Sequence, residues 1–198
     1  MPMQTLPEKF IENMKKQLPE TEWEAFFAVY EKKPFKGVRL NPLKGNKADL
    51  AAKLPFLGAP VPWEENGFYT AEEKLGNSPF HTAGLFYSQE PSAMCAAPLL
   101  EVKEGERVLD LCSAPGGKGT QLACAMRGKG VIVLNEPVYA RAKILSQNVE
   151  RMGIKNAVVV NETPENLSEK FAGYFDKILV DAPCSGERMF RTNADEAL

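Results

Sequence analysis

The chain has 198 residues, room for one large domain or two small ones. Its 44% hydrophobic and 25% charged content is ordinary for a globular protein, and a formal net charge of -2 excludes a generally basic nucleic-acid coat while allowing a local patch. No apolar run approaches a membrane span, and the polar start from Met1 to Lys16 has no signal-peptide core, so a cytoplasmic protein without a membrane partner is expected.

In chain order, Pro7 to Gln17 repeats apolar residues at helical spacing, with Phe10, Ile11, Met14 and Leu18 on one face. Pro19 stops that helix, and Thr21 with Glu24 reads as a capping box opening a second one. The second helix is expected to bury Trp23, Phe26, Phe27 and Tyr30 and to end before Pro34. Val38 to Asn41 reads as a strand, Lys47 to Leu54 as a brief helix, and Trp63 to Thr70 and Leu85 to Tyr87 as further strands. Pro91 suits the first turn of a helix running to Leu100. From Lys32 to Lys53 the chain carries Lys32, Lys33, Lys36, Arg39, Lys44, Lys47 and Lys53 against the single acid Asp49. The segment reads either as a solvated face or as a nucleic-acid contact using Lys36, Arg39 and Lys44.

The pattern then changes. Val108 to Leu111 reads as a buried parallel strand with Asp110 near its end. Ala114-Pro115-Gly116-Gly117 allows a sharp turn close to a ligand, and Lys118 to Met126 reads as a helix. Strands at Gly130–Leu134, Ala157–Val160 and Lys177–Val180 alternate with helices at Tyr139–Met152 and Glu165–Phe171. This is a doubly wound parallel sheet. The domain boundary falls near residues 80–90, giving a small α+β domain over 1–85 and an α/β domain over 86–198.

A strand, a glycine turn and a helix start form a nucleotide-type cradle, and Glu136 stands about 20 residues further on, where such folds hold ribose. The turn lacks both the spacing of dinucleotide folds and the Gly-Lys-Ser/Thr ending of phosphate loops. An adenosine-type ligand without a phosphate clamp fits best. Lys177 to Val180 runs into Asp181-Ala182-Pro183-Cys184, placing Asp181 and Cys184 opposite the cradle. A thiol beside such a ligand points to covalent catalysis on an electron-poor ring. Cys112 reads as packing beneath the loop, and Cys95 and Cys124 as core. The four cysteines show no metal spacing and His81 is the single histidine, so no metal site is expected.

Asp-Leu-Cys-Ser-Ala-Pro-Gly-Gly-Lys at 110–118 and Asp-Ala-Pro-Cys-Ser-Gly-Glu at 181–187 resemble the Sun (Fmu) family of S-adenosylmethionine-dependent RNA cytosine-5 methyltransferases. Tyr87 to Ala93 and Asn161 to Glu165 resemble its bacterial RsmF-like branch. The resemblance implies a Rossmann-like class I methyltransferase fold behind an RNA-binding N-terminal domain. It implies that Cys112, Ser113, Ala114, Pro115, Gly116, Gly117 and Lys118 wrap the methionine part of S-adenosyl-L-methionine. Glu136 would hold the ribose, Thr163 would border the adenine, and Asp181 would lie beside cofactor and base. A cysteine in a later Thr-Cys motif attacks carbon 6 of cytosine in this family, and the one matching Cys184 releases product.

Gly119 stands where the family usually has Ser or Thr, and Arg188 where it has Gly. The sequence stops at Leu198, ahead of the attacking cysteine. The expectation is therefore a C-terminally truncated, incomplete sheet in a monomer that is inactive by itself, with RNA, specifically rRNA, as partner. Two other readings stay open: an RNA-binding module that has lost catalysis, and an enzyme using Cys184 as nucleophile, like the Pro-Cys of DNA cytosine methyltransferases.

Overall fold

The computed structural model describes residues 6–184. The chain forms two compact units, one from Phe35 to Ala182, the other combining Met1–Pro34 with Pro183–Leu198.

In the smaller unit, α1 (Glu8–Gln17) and α2 (Trp23–Ala28) pack through aromatic rings. Phe10 is buried against Phe26 and Tyr30, with ring centroids 6.5 and 5.5 Å away. The capping box expected from Thr21 and Glu24 does not form. Pro19 instead starts a 3-10 turn over Glu20–Glu22 that absorbs Thr21, and α2 follows with no side-chain cap. Trp23, Phe26, Phe27 and Tyr30 are half-buried rather than core. Trp23 keeps its polar end satisfied by donating Nε1–H to the Leu18 carbonyl at 3.0 Å.

The larger unit holds two sheets. The first is antiparallel, with β1 (Lys36–Leu40) paired to β2 (Gly67–Thr70) on one side and β3 (Phe86–Ser88) on the other. Val38 and Leu40 point into an apolar cluster with Leu50, Leu54, Leu75 and Phe86, which also seats α3 (Lys47–Ala52). Asn46 caps α3 by accepting the Asp49 amide at 2.9 Å. A short helix, α4 (Pro79–Thr82), leads to β3. The helix expected from Pro91 to Leu100 is divided: Ser92–Met94 is a 3-10 turn, and α5 covers Ala96–Leu100.

The second sheet is parallel, in the order β6-β5-β4-β7, from β4 (Arg107–Asp110), β5 (Val131–Asn135), β6 (Ala157–Val160) and β7 (Lys177–Leu179). Strand alternation divides its residues between two faces. Val108, Ile132 and Leu134 pack with Leu122, Ala123 and Met126 of α6 (Gly117–Ala125) and Leu145, Val149 and Met152 of α7 (Tyr139–Met152). Leu109 and Val133 pack on the other face with Leu167 of α8 (Pro164–Lys170) and with Phe171 and Phe175. Ala142, Leu145, Val149 and Met152 are the buried residues of α7, and Gly153, at φ 72°, ends it.

The chain winds outward from β4 through β5 to β6 and returns to β7 on the opposite side of β4. The strand order therefore reverses between β4 and β7, and the carboxyl ends of these two strands mark the crevice where doubly wound folds bind ligands.

Asn41, just past the end of β1, ties the turn before β3 to the end of α7. It is fully buried, and its Nδ2 donates to the carbonyls of Gly84 and Met152, each at 2.8 Å. Asn41→Ala leaves both acceptors buried without a donor, which costs about 2–4 kcal/mol. Urea unfolding is expected to give a lower midpoint at unchanged slope; an unaltered midpoint would show that water replaces the amide without loss.

Candidate functional site

At the end of β4 the chain enters the turn from Leu111 to Gly116 and continues into α6. Gly116 sits at the N-cap position with φ 112°, a backbone that favours glycine. The Ala114–Pro115 peptide is cis. The Ser113 amide donates to the Asn135 carbonyl at 2.8 Å, tying the turn to the end of β5.

Four consecutive carbonyls of this turn are held by side chains. Ala114 O accepts from Arg141 Nη2 at 3.0 Å, and Pro115 O from Asn148 Nδ2 at 2.8 Å and the Tyr87 hydroxyl at 3.2 Å. Gly116 O accepts from Thr120 Oγ1 at 2.6 Å, and Gly117 O from Arg39 Nη1 at 2.8 Å. The amides of Gly116, Gly117, Lys118 and Gly119, by contrast, meet no acceptor among the described residues, and no side chain caps α6. They are the unpaired donors of a helix start and suit an anionic group.

Carboxylates line the rest of the crevice. Asp110 is 1% exposed, and both its oxygens, like Ser113 Oγ, lack a hydrogen-bond partner of ordinary geometry. Burial pushes the Asp110 carboxyl up to about 6; the nearby Ser113 hydroxyl, Cys112 amide and Lys118 soften that effect, and Asp181 adds to it. Glu136 is also buried, accepting the Val138 amide at 2.9 Å and facing Arg141 Nη1 at 3.3 Å. Arg141 thus bridges Glu136 and the turn. Asp181 is exposed beyond β7 and pairs with Lys118. The Cys112 thiol is pushed up, first by burial and then by Asp110, Glu136 and Asp181, so it stays protonated.

Gly119 fits its surroundings closely. A Cβ there would lie 2.3 Å from Ser113 Oγ, 2.6 Å from Leu134 Cδ2 and 2.9 Å from Asp110 Oδ2. Where the resembled family has Ser or Thr, the space beside Gly119 is thus taken by Ser113, Leu134 and Asp110.

Cys112, Ser113, Ala114, Pro115, Gly116, Gly117, Lys118, Glu136 and Asp181 gather at this crevice within the larger unit. Thr163 begins α8, where its hydroxyl caps the helix by accepting the Asn166 amide at 3.3 Å. Cys184 is exposed and belongs to the other compact unit. Arg188 lies outside the described residues. Lys36 and Lys44 are exposed, as an RNA contact requires. Arg39 is not: at 2% exposure it lies inside the protein and bonds to the turn and α6, which removes it from the RNA-contact set. The run of basic residues from Lys32 to Lys53 suggests a solvated or RNA-facing side chain, but α6 covers this one. Asn135, Arg141 and Asn148 are further residues at the crevice that the motifs did not include, and Tyr87, which opens the 87–93 motif, is given no role by it. Among the described residues no cluster of potential ligands holds a metal site, and no helix is long and apolar enough to cross a membrane.

Asp110 makes stability depend on pH. Its folded-state value of about 6 lies above the ordinary 3.8, so the folded chain holds the proton more tightly than the unfolded chain. Its penalty is absent below about pH 4, grows through the window to about pH 6, and then stays constant at about 3 kcal/mol. Asp110→Asn is expected to remove that fall in stability, so urea unfolding across this window should give diverging profiles for the two proteins. Parallel profiles would show that the carboxyl titrates normally.

Residues 6–91 match the N-terminal domain of 16S rRNA methyltransferase RsmF, and residues 97–197 match 16S rRNA methyltransferase RsmB/F. Ribosomal RNA small subunit methyltransferase F of Vibrio cholerae is 41% identical over 201 residues, covering 96% of this chain and 42% of that protein. Its namesake in Escherichia coli is 36% identical over 200 residues, with the same coverage of 96% and 42%. The chain thus spans less than half the length of these curated relatives. The crystal structure of a methyltransferase homolog protein from Pyrococcus horikoshii superposes with a TM-score of 0.79 at 34% identity, over 90% of this chain and 60% of that one. The Rossmann-like α/β fold implied by the motifs is the fold observed, with the antiparallel sheet ahead of it. Fold, crevice and sequence agree: the chain belongs to the RsmB/F family of 16S rRNA methyltransferases.

Proposed function

We propose that this chain binds S-adenosyl-L-methionine in the crevice between β4 and β7 and serves methylation of carbon 5 of a cytosine in RNA, with rRNA as substrate. The observation that carries the reading is the pairing of four acceptor-free amides, Gly116 to Gly119, with the partnerless buried carboxylate of Asp110. A zwitterionic amino-acid tail offers both a carboxylate for the amides and an ammonium for the acids. Glu136, at the end of the neighbouring strand, is the acceptor for ribose hydroxyls. The names of the family and of the relatives support the substrate class.

When bound, the cofactor supplies an activated methyl group. The chain's own residues orient it: Cys112 to Lys118 wrap the methionine part, Glu136 fixes the ribose, and Thr163 borders the adenine. Asp181 lies beside the pyrimidine, and its pairing with Lys118 holds it at the crevice until the base arrives. Cys184 acts at product release. The family's attacking cysteine follows a threonine, and none of the four cysteines in these 198 residues does, so that step is assigned to no residue here. Residues 1–85 serve as the RNA-binding domain, with Lys36 and Lys44 among its contacts, and 86–198 as the cofactor domain of a monomer.

Calorimetry of the chain with S-adenosyl-L-methionine tests the reading. Micromolar binding is expected, weakened at least about tenfold in Glu136→Gln, the loss that follows from one charge-assisted hydrogen bond. No binding to a chain that still melts cooperatively would overturn the cofactor assignment. Covalent trapping on an RNA oligonucleotide containing 5-fluorocytosine distinguishes the roles of cysteine. No adduct is expected with this chain, and an adduct lost in Cys184→Ser would make Cys184 the nucleophile.

A further inference from the structure

Arg39 lies on β1, 78 residues before its partner Gly117. Its Nη1 donates to the Gly117 carbonyl at 2.8 Å and to Gln89 Oε1 at 3.0 Å, and its Nη2 donates to Thr120 Oγ1 at 2.8 Å. Thr120 Oγ1 passes its own hydrogen to the Gly116 carbonyl. Through these bonds one guanidinium controls two of the four anchored carbonyls. Gln89 and Gln121 extend the network to Glu64. The Arg39 guanidinium also stacks 5.6 Å from the ring of Tyr87, whose hydroxyl holds the Pro115 carbonyl.

This network is costly. Arg39 has no direct ion pair among the described residues, its Nε is unpartnered, and its surroundings are buried. A buried cation without a carboxylate partner weakens a fold unless its hydrogen bonds are well made. Here they go to the first turn of α6, the end of a helix that already carries positive partial charge. The position is unfavourable for folding and favourable for holding an anion at the acceptor-free amides.

We infer that Arg39 is a positioning residue for the carboxylate end of the ligand. It fixes the carbonyls of Gly116 and Gly117 away from the crevice, leaves the amides of Gly116 to Gly119 directed into it, and adds its charge behind them. The inference rests on the proposed cofactor reading and deepens it. The antiparallel sheet thereby becomes part of the cofactor site as well as a neighbour of it.

The test compares two ligands that differ in the amino-acid tail. S-adenosylhomocysteine carries that tail, and 5′-methylthioadenosine is the nucleoside thioether without it. Both are titrated to millimolar concentration into the full chain and into Arg39→Met, Arg39→Lys and Thr120→Val, with thermal melting of each. Arg39→Met and Thr120→Val are expected to weaken S-adenosylhomocysteine about tenfold and methylthioadenosine less than about twofold. Arg39→Lys, which keeps the charge and loses the fork, should fall between. Equal losses on both ligands would reduce Arg39 to a structural role and overturn the inference while leaving the cofactor reading intact. Unchanged affinities would do the same. A wild-type chain that binds neither ligand would overturn both. Should Arg39→Met fail to melt cooperatively, the other two variants decide by the same comparison.

Discussion

The turn between β4 and α6 has to satisfy two opposed demands. Its carbonyls, two of them on the buried residues Ala114 and Gly116, need donors, and its amides are useful only if nothing inside the protein takes them. The chain resolves this by supplying donors from Arg39 on β1, Tyr87 on β3, Thr120 on α6 and Arg141 and Asn148 on α7. All the carbonyls from Ala114 to Gly117 are thereby satisfied from elsewhere in the protein. That arrangement requires the antiparallel sheet to pack beside α6, which is why β1 to β7 fall within one compact unit from Phe35 to Ala182. Asn41 fixes the packing two residues beyond Arg39, just past the end of the same strand.

The cost of this construction is concentrated at the crevice. Four of the five buried side-chain atoms left without partners among the described residues belong to Arg39, Asp110 and Ser113, and the fifth is on Asn156. Buried polar groups elsewhere in proteins are nearly always paired. Here they gather around one turn, and strained or unsatisfied groups collect where function requires them. The packing leaves little room to relieve the imbalance from within: Gly119 admits no side chain unless Ser113 and Leu134 move.

Much of this was legible in the sequence. The parallel sheet could be read because its strands are short apolar runs separated by glycine turns and amphipathic helices, and Ala142, Leu145, Val149 and Met152 show helical spacing with little interruption. Asp110 and Glu136 stood out because a strand end is a fixed position in a doubly wound fold. Arg39 was misread for a physical reason. A run of basic residues from Lys32 to Lys53 reports charge along the chain, but it cannot report which member the fold turns inward. Arg141, Asn148 and Tyr87 were missed because they act on backbone carbonyls, and bonds from a side chain to a distant backbone leave no sequence pattern. The Thr21 capping box failed because Pro19 began a turn ahead of it.

The crevice brings opposite charges together: the acceptor-free amides of α6, with Arg39 behind them, share it with Asp110, Glu136 and Asp181. Burial first, and then Asp110, Glu136 and Asp181, raise the Cys112 pKa and keep the thiol protonated. Thiolate, not thiol, is the nucleophile. The acids therefore serve two ends at once: under the proposed function they offer acceptors to the ligand's cationic groups and ribose hydroxyls, and they help keep the Cys112 thiol protonated. Neutralising Asp110 would weaken both effects together, because one negative charge contributes to each.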